Sequence, residues 1–308
     1  MAAPTLPASS SASYAILQRA EVAGAQLPPL LIAAKRIAAT VMQGLHGRRR
    51  RGPGDTFWQY RHYQPGDPTT RIDWRQSAKT SSIFIREHEW IAAQSVWLWR
   101  DCSPSMSYSA SKNLTEKGDR AELLTLALAS LLMRAGEHVG LSGDGRPPRS
   151  GRAALTQMAE TLARNAARAA SGEDAPSVPP IEPLPRYGHI VLFSDFLGPM
   201  EEIAGIIGAY GARGIIGHLV QILDPSEETL PFTGRVRFEG MEDEGSTLIN
   251  RTETVRNDYQ NRLIARREQL IALGQRHGWS FTLHHTDHPA TEALLALYNA
   301  MTLSRDQW

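Results

Sequence analysis

The loop Asp101-Cys102-Ser103-Pro104-Ser105-Met106 has the residue types and the spacing of a small cation site. It follows the apolar run Val96-Trp97-Leu98-Trp99, which is typical of a buried strand, and Pro104 ends regular structure. One carboxylate and two hydroxyls at alternate positions can converge in a tight turn. Such hard oxygen donors suit Mg²⁺, which keeps several waters and leaves room for an oxygen from another molecule.

A second acid, Asp195, ends a second apolar run that begins at Gly188. Both runs have the pattern of strands that are buried on two faces, as in a parallel sheet. In open α/β sheets ligands bind at the carboxyl ends of the strands. We therefore predict that the two acids lie on adjacent central strands. The expected ligands of the Mg²⁺ site are Asp101, Ser103, Ser105 and Asp195.

A structural turn is the alternative interpretation of the same loop. Asp and Ser often occur together in loops because their side chains hydrogen-bond to nearby backbone groups. Neither serine lies in the Gly-x-Ser-x-Gly turn that exposes a hydrolase nucleophile. For Cys102 we expect a buried, inert thiol. The loop therefore predicts binding or turn formation, and no catalysis.

Composition places the chain among intracellular globular proteins. Its 308 residues are 42% hydrophobic, enough for a substantial core, and the net charge of +1 argues against a chain built wholly for nucleic acid. The single cysteine excludes an internal disulfide framework. The N-terminus lacks the pattern of a signal peptide, and the apolar stretch Leu123–Met133 is too short to span a membrane. We expect a cytoplasmic protein without a membrane segment.

Strand and helix patterns alternate after Asp101, which predicts an α/β fold with a doubly wound, mostly parallel sheet. The core of this fold is expected over residues 93–223 and 252–308, with a β-hairpin insertion at 224–251. Before it we expect a disordered tail at 1–13, a helical segment at 14–46 and a β-rich element with a basic loop at 47–92. We predict that the hairpin packs with residues 57–90 as one appendage, because a lone hairpin is marginal in water.

Several motifs of the chain resemble one bacterial family, the domain of unknown function 58. They are Arg61-x-Tyr63-x-x-Gly66-Asp67, Arg71-Ile72-Asp73-Trp74-x-x-Ser77-Ala78, the DCSPSM loop, Leu223-Asp224-Pro225-x-Glu227 with Leu230-Pro231 and Gly234, and Tyr259. The resemblance covers roughly residues 47–301, and the α/β part also resembles the von Willebrand factor A domain. It implies that fold with an added β element. It further implies a non-enzymatic, chaperone-like role with MoxR-type AAA ATPases, beside which such proteins are usually encoded.

Two departures from the family pattern change what the resemblance implies. Many relatives begin with two membrane helices, which this sequence does not show, so membrane anchoring does not carry over. Metal-binding A domains supply a threonine where this chain has Ser150-Gly151-Arg152-Ala153. The Arg152 guanidinium is therefore an alternative to Mg²⁺ for neutralising Asp101 or Asp195. In either case we expect the loop to dock an acidic side chain of a partner, through Asp101, Ser103, Ser105 and Arg152.

Two other function classes have weaker support. The cluster His284-His285-Thr286-Asp287-His288 offers metal ligands for a hydrolase, but adjacent histidines on a strand face opposite sides. The run Arg48–Arg51 offers phosphate contacts, but no aromatic residues alternate with it and no second basic patch follows. A hydrolase that uses zinc or iron at His284–His288 and nucleic-acid binding through Arg48–Arg51 are therefore the alternatives to the interaction module.

Overall fold

The computed structural model describes residues 50–64, 70, 72–80, 82–90, 94–171, 175–241 and 245–305. These residues fall into two units, one ending before Gln94 and the other beginning there. The predicted tail, the N-terminal helical segment, Arg48 and Arg49 lie outside the described residues, as do Gly66, Asp67 and Arg71 of the family motifs.

The smaller unit is an antiparallel pair of strands with one helical turn between them. Strand β1 (Arg50–His62) pairs with β2 (Phe84–Trp90), and helix α1 (Trp74–Ser77) lies between them in sequence. Asp73 caps the turn by accepting a hydrogen bond from the backbone N–H of Gln76 at 2.9 Å. Ser77 Oγ accepts one from the N–H of Phe84 at 2.9 Å, which ties the turn to β2. The motif residue Asp73 therefore has a structural task, whereas the Trp74 side chain is exposed.

The larger unit is built on a five-stranded sheet in the order β4-β3-β5-β6-β9, in which all neighbours are parallel. Its strands are β3 (Ser95–Arg100), β4 (His138–Leu141), β5 (His189–Ser194), β6 (Ile216–Leu223) and β9 (Ser280–His285). The predicted mostly parallel α/β sheet is confirmed. The apolar runs fold this way because the three central strands β3, β5 and β6 are buried on both faces, whereas the edge strand β9 is mostly half-buried.

Helices cover the two faces of this sheet. They are α2 (Lys117–Arg134), α3 (Arg152–Ala170), α4 (Met200–Ala212), α6 (Thr252–Arg276) and α7 (Ala290–Arg305), while the short helix α5 (Pro225–Thr229) directly follows β6. Side chains of α2, α3 and α7 pack against Val96 and Leu98 on one face. Side chains of α4 and α6 pack against Trp97 and Trp99 on the other. Successive side chains of β3 thus pack into two separate hydrophobic cores, because side chains alternate between the two faces of a strand.

The strand order creates a switch point between β3 and β5. The chain leaves β3 into α2 on one face and leaves β5 into α4 on the other. A crevice forms where the two connections part, and it lies at the carboxyl ends of these strands. This is the edge that carries Asp101 and Asp195.

The insertion after β6 is a hairpin, as predicted. Strands β7 (Val236–Glu239) and β8 (Ser246–Ile249) pair in antiparallel register, with Val236 opposite Ile249. The N–H of Thr252, at the start of α6, donates to the carbonyl of Gly234 at 3.0 Å and fixes the base of the hairpin. The packing of this hairpin with residues 57–90 stays a prediction.

One close approach explains a glycine inside a central strand. A Cβ at Gly217 would lie 1.9 Å from the ring of Trp279, so only glycine lets this indole pack flat on β6. The indole N–H donates to the carbonyl of Ile215 at 3.0 Å. None of the helices in the described part of the chain is long and apolar enough to cross a bilayer.

A pair of buried imidazoles predicts a loss of stability in acid. His218 lies in β6 with its Nε2 3.3 Å from His189 Nδ1 and its Nδ1 2.8 Å from Ser280 Oγ, and burial lowers its pKa to about 3. In the unfolded chain a histidine titrates near pH 6.5, so below about 6.5 the unfolded state binds the extra proton. We expect His218 to lower the free energy of unfolding by about 1.4 kcal/mol per pH unit as the pH falls from about 6 to about 4.

Urea unfolding across this pH range measures the effect. His218→Gln should remove this contribution to the pH slope, whereas His288→Gln, at an exposed position, should keep it. Parallel pH profiles for wild type and His218→Gln would contradict the assignment.

Candidate functional site

Asp101 and Asp195 lie side by side at the carboxyl edge of the sheet. They follow β3 and β5, which are hydrogen-bonded neighbours, and the N–H of Asp101 donates to the carbonyl of Phe193 at 2.9 Å. Both acids are buried, with 1% and 2% of their surface exposed. The structure therefore brings together the two acids that end the predicted strands.

Both oxygens of the Asp101 carboxylate accept hydrogen bonds from nearby protein groups. Oδ1 accepts a hydrogen bond from the Ser103 N–H at 2.8 Å, and Oδ2 accepts one from Ser194 Oγ at 2.6 Å. Ser194 Oγ in turn accepts the N–H of Phe196 at 2.9 Å. Burial, and then the neighbouring charge of Asp195, raise the pKa of Asp101 to about 7. Asp101 thus closes the two loops that follow β3 and β5.

The two serines of the loop converge on the second acid. Ser103 Oγ lies 3.1 Å from Ser105 Oγ, and Ser105 Oγ donates to Asp195 Oδ2 at 2.9 Å. The other oxygen of Asp195 accepts the N–H of Leu197 at 3.1 Å. The predicted set of one loop carboxylate, two hydroxyls and a second acid is therefore assembled in space.

The cation of this cluster is a lysine that sequence analysis did not select. Lys117 Nζ donates to Asp195 Oδ2 at 2.8 Å and to Glu227 Oε1 at 2.6 Å. Its side chain is 1% exposed. Burial opposes its charge, but the two carboxylates outweigh burial and raise the pKa of Lys117 above the usual value. An ammonium ion therefore links the ends of two strands.

Lys117 was missed because the sequence around it looks like an exposed helix start. The segment Glu116-Lys117-Gly118-Asp119-Arg120 is strongly charged, and the periodic apolar pattern begins only after it. The helix in fact starts at Lys117, and Gly118 packs so tightly that a Cβ there would lie 3.3 Å from the carbonyl oxygen of Met106. The only signal for this contact is the glycine after the lysine, which permits the first turn to approach the Asp101 loop.

The motif Leu223-Asp224-Pro225-x-Glu227 supplies the third wall of the site. Asp224 and Glu227 form a reciprocal capping box at the start of α5, in which Glu227 Oε2 accepts the N–H of Asp224 at 2.8 Å. Asp224 Oδ2 accepts the N–H of Ala110 at 3.1 Å, and Ser226 Oγ lies 3.0 Å from the hydroxyl of Tyr108. The segment after β6 is therefore fixed to the loop after β3.

These residues do not fit a resident Mg²⁺ ion. Both oxygens of Asp101 are engaged by the protein, and the Lys117 ammonium lies where a cation would contact Asp195. A divalent ion beside Asp195 would face this ammonium at a few ångströms in a buried environment, where repulsion between like charges is strong. Among the described residues, no group of three His, Cys, Asp or Glu side chains is arranged to hold a metal. We assign Mg²⁺ no role here.

The proposed role of Arg152 has to be corrected. Arg152 is the first residue of α3, follows Gly151 in a left-handed conformation, and is exposed. The cation that pairs with Asp195 comes instead from Lys117, because α2 begins directly at the crevice. Arg152 is therefore not the residue that neutralises this acid.

The histidine cluster does not converge on one point. His284 is buried, and burial lowers its pKa to about 3, whereas the ring of His285 bonds to Glu228 and His288 is exposed. Glu228 also pairs with Arg267 at 2.7 Å. Neighbouring residues of β9 thus point to different surroundings, as their positions on a strand indicate.

Cys102 lies beside the site without taking part in it. Burial raises the pKa of its thiol, and its Sγ lies 3.6 Å from the carbonyl of Arg100. A raised pKa disfavours the thiolate, which is the reactive form of cysteine.

A cavity of about 570 Å³ opens next to Ser105 and Glu227. Its far wall is the β7–β8 hairpin with α6, where the rings of Phe232 and Phe238 meet edge to face at 5.9 Å. The described lining residues are Ser105, Tyr108, Leu197, Gly198, Ser226, Glu227, Leu230, Phe232, Phe238, Glu239, Gly240, Met241, Ile249, Val255, Asp258, Tyr259 and Arg262. Sequence analysis did not predict this cavity, since its walls come from segments far apart in the chain.

Tyr259 connects the family motifs to this cavity. Burial raises the pKa of its phenol to about 12, so the group stays a neutral hydrogen-bond donor. Arg266, about two turns further along α6, donates from Nε to the carbonyl of Phe196 at 2.6 Å. Helix α6 is thereby held against the loop after β5.

Comparison with known proteins decides the family. A family model described as "Protein of unknown function DUF58" matches residues 59–269. The chain belongs to the DUF58 family. The predicted family membership is confirmed.

Relatives of this DUF58 protein occur in mycobacteria. The uncharacterized proteins Rv1480 of Mycobacterium tuberculosis and Mb1516 of Mycobacterium bovis are each 27% identical to it over 259 residues, which is 79% of this chain and 80% of theirs. Among solved structures, the chain of BatB from Bacteroides thetaiotaomicron is 14% identical, with a TM-score of 0.39, over 69% of this chain and 98% of that one. An uncharacterized membrane spanning protein of Vibrio fischeri is 15% identical, with a TM-score of 0.15, over 68% and 98% of the two chains.

The raised pKa of Asp101 gives a second pH prediction, of opposite sign to that of His218. Asp101 titrates near 7 in the folded protein and near 3.8 when unfolded. Between these values the folded state binds the extra proton, so this group's contribution to stability falls as the pH rises. In wild type, Asp101 should lower the free energy of unfolding by about 1.4 kcal/mol per pH unit as the pH rises from 5 to 7. We expect Asp101→Asn to abolish this decrease.

Urea unfolding of Asp101→Asn and of Asp287→Asn, an exposed acid, tests this expectation. The first variant should gain stability relative to wild type as the pH rises, and the second should follow wild type. A constant difference between Asp101→Asn and wild type would show that Asp101 is ionised throughout.

Proposed function

We propose that this DUF58 protein is a non-enzymatic protein-interaction module whose docking surface is the carboxyl edge of its sheet. The observation that carries the proposal is the cavity of about 570 Å³ beside the Asp101 loop. Its volume lies within the range of about 300–1,000 Å³ that is usual for binding sites. Cavities at the switch point of an α/β sheet are the usual binding places of such folds.

The lining of the cavity favours a segment of polypeptide with an apolar side chain. Phe232, Phe238, Ile249 and Val255 offer aromatic and aliphatic surface, and all four are half-buried in the protein itself. At the opposite end are hydroxyl groups, including those of Ser105 and Tyr108, which can bond to the backbone of a bound segment. An apolar pocket with a few polar groups at one end fixes both affinity and orientation.

The charges at the cavity favour a basic residue next to that apolar side chain. Among the described lining residues, the carboxylates of Glu239 and Asp258 are exposed, and one guanidinium, that of Arg262, accompanies them. The Glu227 carboxylate is already paired with Lys117, at 2.6 Å. The rim is thus acidic, which attracts lysine or arginine of a partner.

This partner chemistry replaces the acidic side chain that the sequence suggested. That suggestion required an open cation at the Asp101 loop, either Mg²⁺ or the Arg152 guanidinium. Lys117 is buried and bonded to two carboxylates, so it offers a partner carboxylate no approach. The docking place therefore moves from the loop itself to the cavity beside it.

The partner that we propose is an AAA ATPase of the MoxR type, on the strength of membership in the DUF58 family. We also infer that the larger unit is von Willebrand A-like. The sheet order and the Asp101-x-Ser103-x-Ser105 loop at the carboxyl edge support this inference. A chaperone-like role with such an ATPase requires a surface for protein contact, which the cavity provides. No observation favours the metal-dependent hydrolase, and the four side chains of the Arg48–Arg51 run lie outside those that the structure describes.

Charge reversal at the rim tests the docking surface. We expect Asp258→Lys to weaken binding of the purified MoxR-type ATPase of the same organism at least tenfold in isothermal titration calorimetry, because it repels the basic residue of the partner. Glu268→Lys makes the same charge change at an exposed position of α6 outside the cavity and should bind like wild type.

The apolar wall is tested by Phe238→Ala, which should weaken binding as well. Unchanged affinity for both Asp258→Lys and Phe238→Ala would rule out the cavity as the docking place. If wild type itself does not bind the ATPase, the proposed partner is wrong.

A further inference from the structure

The Lys117 ammonium occupies the centre of the oxygen cluster at the switch point. Asp195 Oδ2 accepts hydrogen bonds both from Lys117 Nζ, at 2.8 Å, and from Ser105 Oγ, at 2.9 Å. The second carboxylate on this ammonium, that of Glu227, comes from the segment after β6. The ammonium therefore contacts ligands of the kind and arrangement that a hard cation would use.

The environment of Lys117 would not be stable without this charge pairing. Its side chain is 1% exposed and that of Asp195 is 3% exposed. A buried ion costs several kcal/mol unless opposite charges and hydrogen bonds compensate it, and here two carboxylates do so. The aromatic ring of Tyr108, with its centroid 5.7 Å from Nζ, adds a favourable cation–π contact.

We infer that Lys117 is a built-in substitute for a divalent cation, so that this edge of the sheet is assembled without metal. It also follows that the place filled by the ammonium is a latent metal site, which could bind an ion only once the lysine is removed. Removal of the ammonium leaves two carboxylates directed at the vacated point, one of which also accepts the Ser105 hydroxyl, and nothing in the cluster then neutralises them. This inference does not rest on the proposed partner.

The distances indicate which ion would enter the vacated place. The oxygens lie 2.8 Å and 2.6 Å from the nitrogen position. Calcium binds oxygens at about 2.3–2.6 Å, whereas magnesium requires about 2.0–2.1 Å in a near-ideal octahedron. Since the oxygens would have to move less for the larger ion, we expect Ca²⁺ to bind the lysine-free protein more tightly than Mg²⁺.

The experiment is thermal unfolding of the full chain in EDTA, in CaCl₂ and in MgCl₂. Lys117→Ala empties the position of the ammonium, and Lys117→Met keeps most of the side-chain volume without the charge. The control is Lys112→Ala, which removes an exposed lysine from the loop before α2. Wild type and Lys112→Ala should have the same melting temperature in all three solutions. Lys117→Ala should melt well below wild type in EDTA and regain about 5 °C or more in CaCl₂, with a smaller gain in MgCl₂.

Two results would overturn the inference. One is a metal-dependent rise of the wild-type melting temperature as large as that of Lys117→Ala, which would mean that the ion binds beside the lysine. The other is a Lys117→Met protein as stable as wild type in EDTA, which would mean that the ammonium is not needed. If Lys117→Ala does not fold in EDTA, refolding it with and without CaCl₂ decides the question, and failure in both would contradict a latent site.

Discussion

The arrangement of the larger unit at its carboxyl edge depends on one buried ammonium ion. Lys117 begins the helix that follows β3, Asp195 comes directly after β5, and Glu227 follows β6. Hydrogen bonds of 2.8 Å and 2.6 Å join all three at a single nitrogen. Each partner is buried or half-buried, so loss of the ammonium would leave carboxylates without compensation in a region of low polarity.

The binding surface follows from this ion pair. Glu227 presents one oxygen to Lys117 and the other to the backbone of Asp224, and Asp224 in turn holds the loop at Ala110. These contacts fix one wall of the cavity, while the β7–β8 hairpin and α6 form the other. Pairing with Lys117 engages the Glu227 carboxylate inside the wall, whereas the rim carboxylates of Glu239 and Asp258 are exposed to a partner. The structure thus separates the charge that holds the fold from the charge that is available for recognition.

The sequence predicts the parts of this edge that are local and misses the parts that join distant segments. Asp101 and Asp195 are visible because each ends an apolar run, and the antiparallel hairpin is visible from its two strands. The partners of Lys117 are 78 and 110 residues away in the chain, and no periodic pattern links them. Arg152 was chosen by its place in a family pattern, but the first turn of α3 is exposed. The sequence does not predict the cavity either, for the same reason that it does not predict the contacts of Lys117. The walls of the cavity come from distant segments that meet only in the folded chain.

The most direct test of this account is a double-mutant cycle between Lys117 and Asp195. The free energies of unfolding of wild type, Lys117→Met, Asp195→Asn and the double variant are measured in urea at constant pH. Removing one partner of a buried pair typically costs about 3–5 kcal/mol because the other charge stays buried. We expect the double variant to lose less stability than the sum of the two single losses, by about 1 kcal/mol or more. Additivity within about 0.5 kcal/mol would contradict it, because the two residues would then not depend on each other.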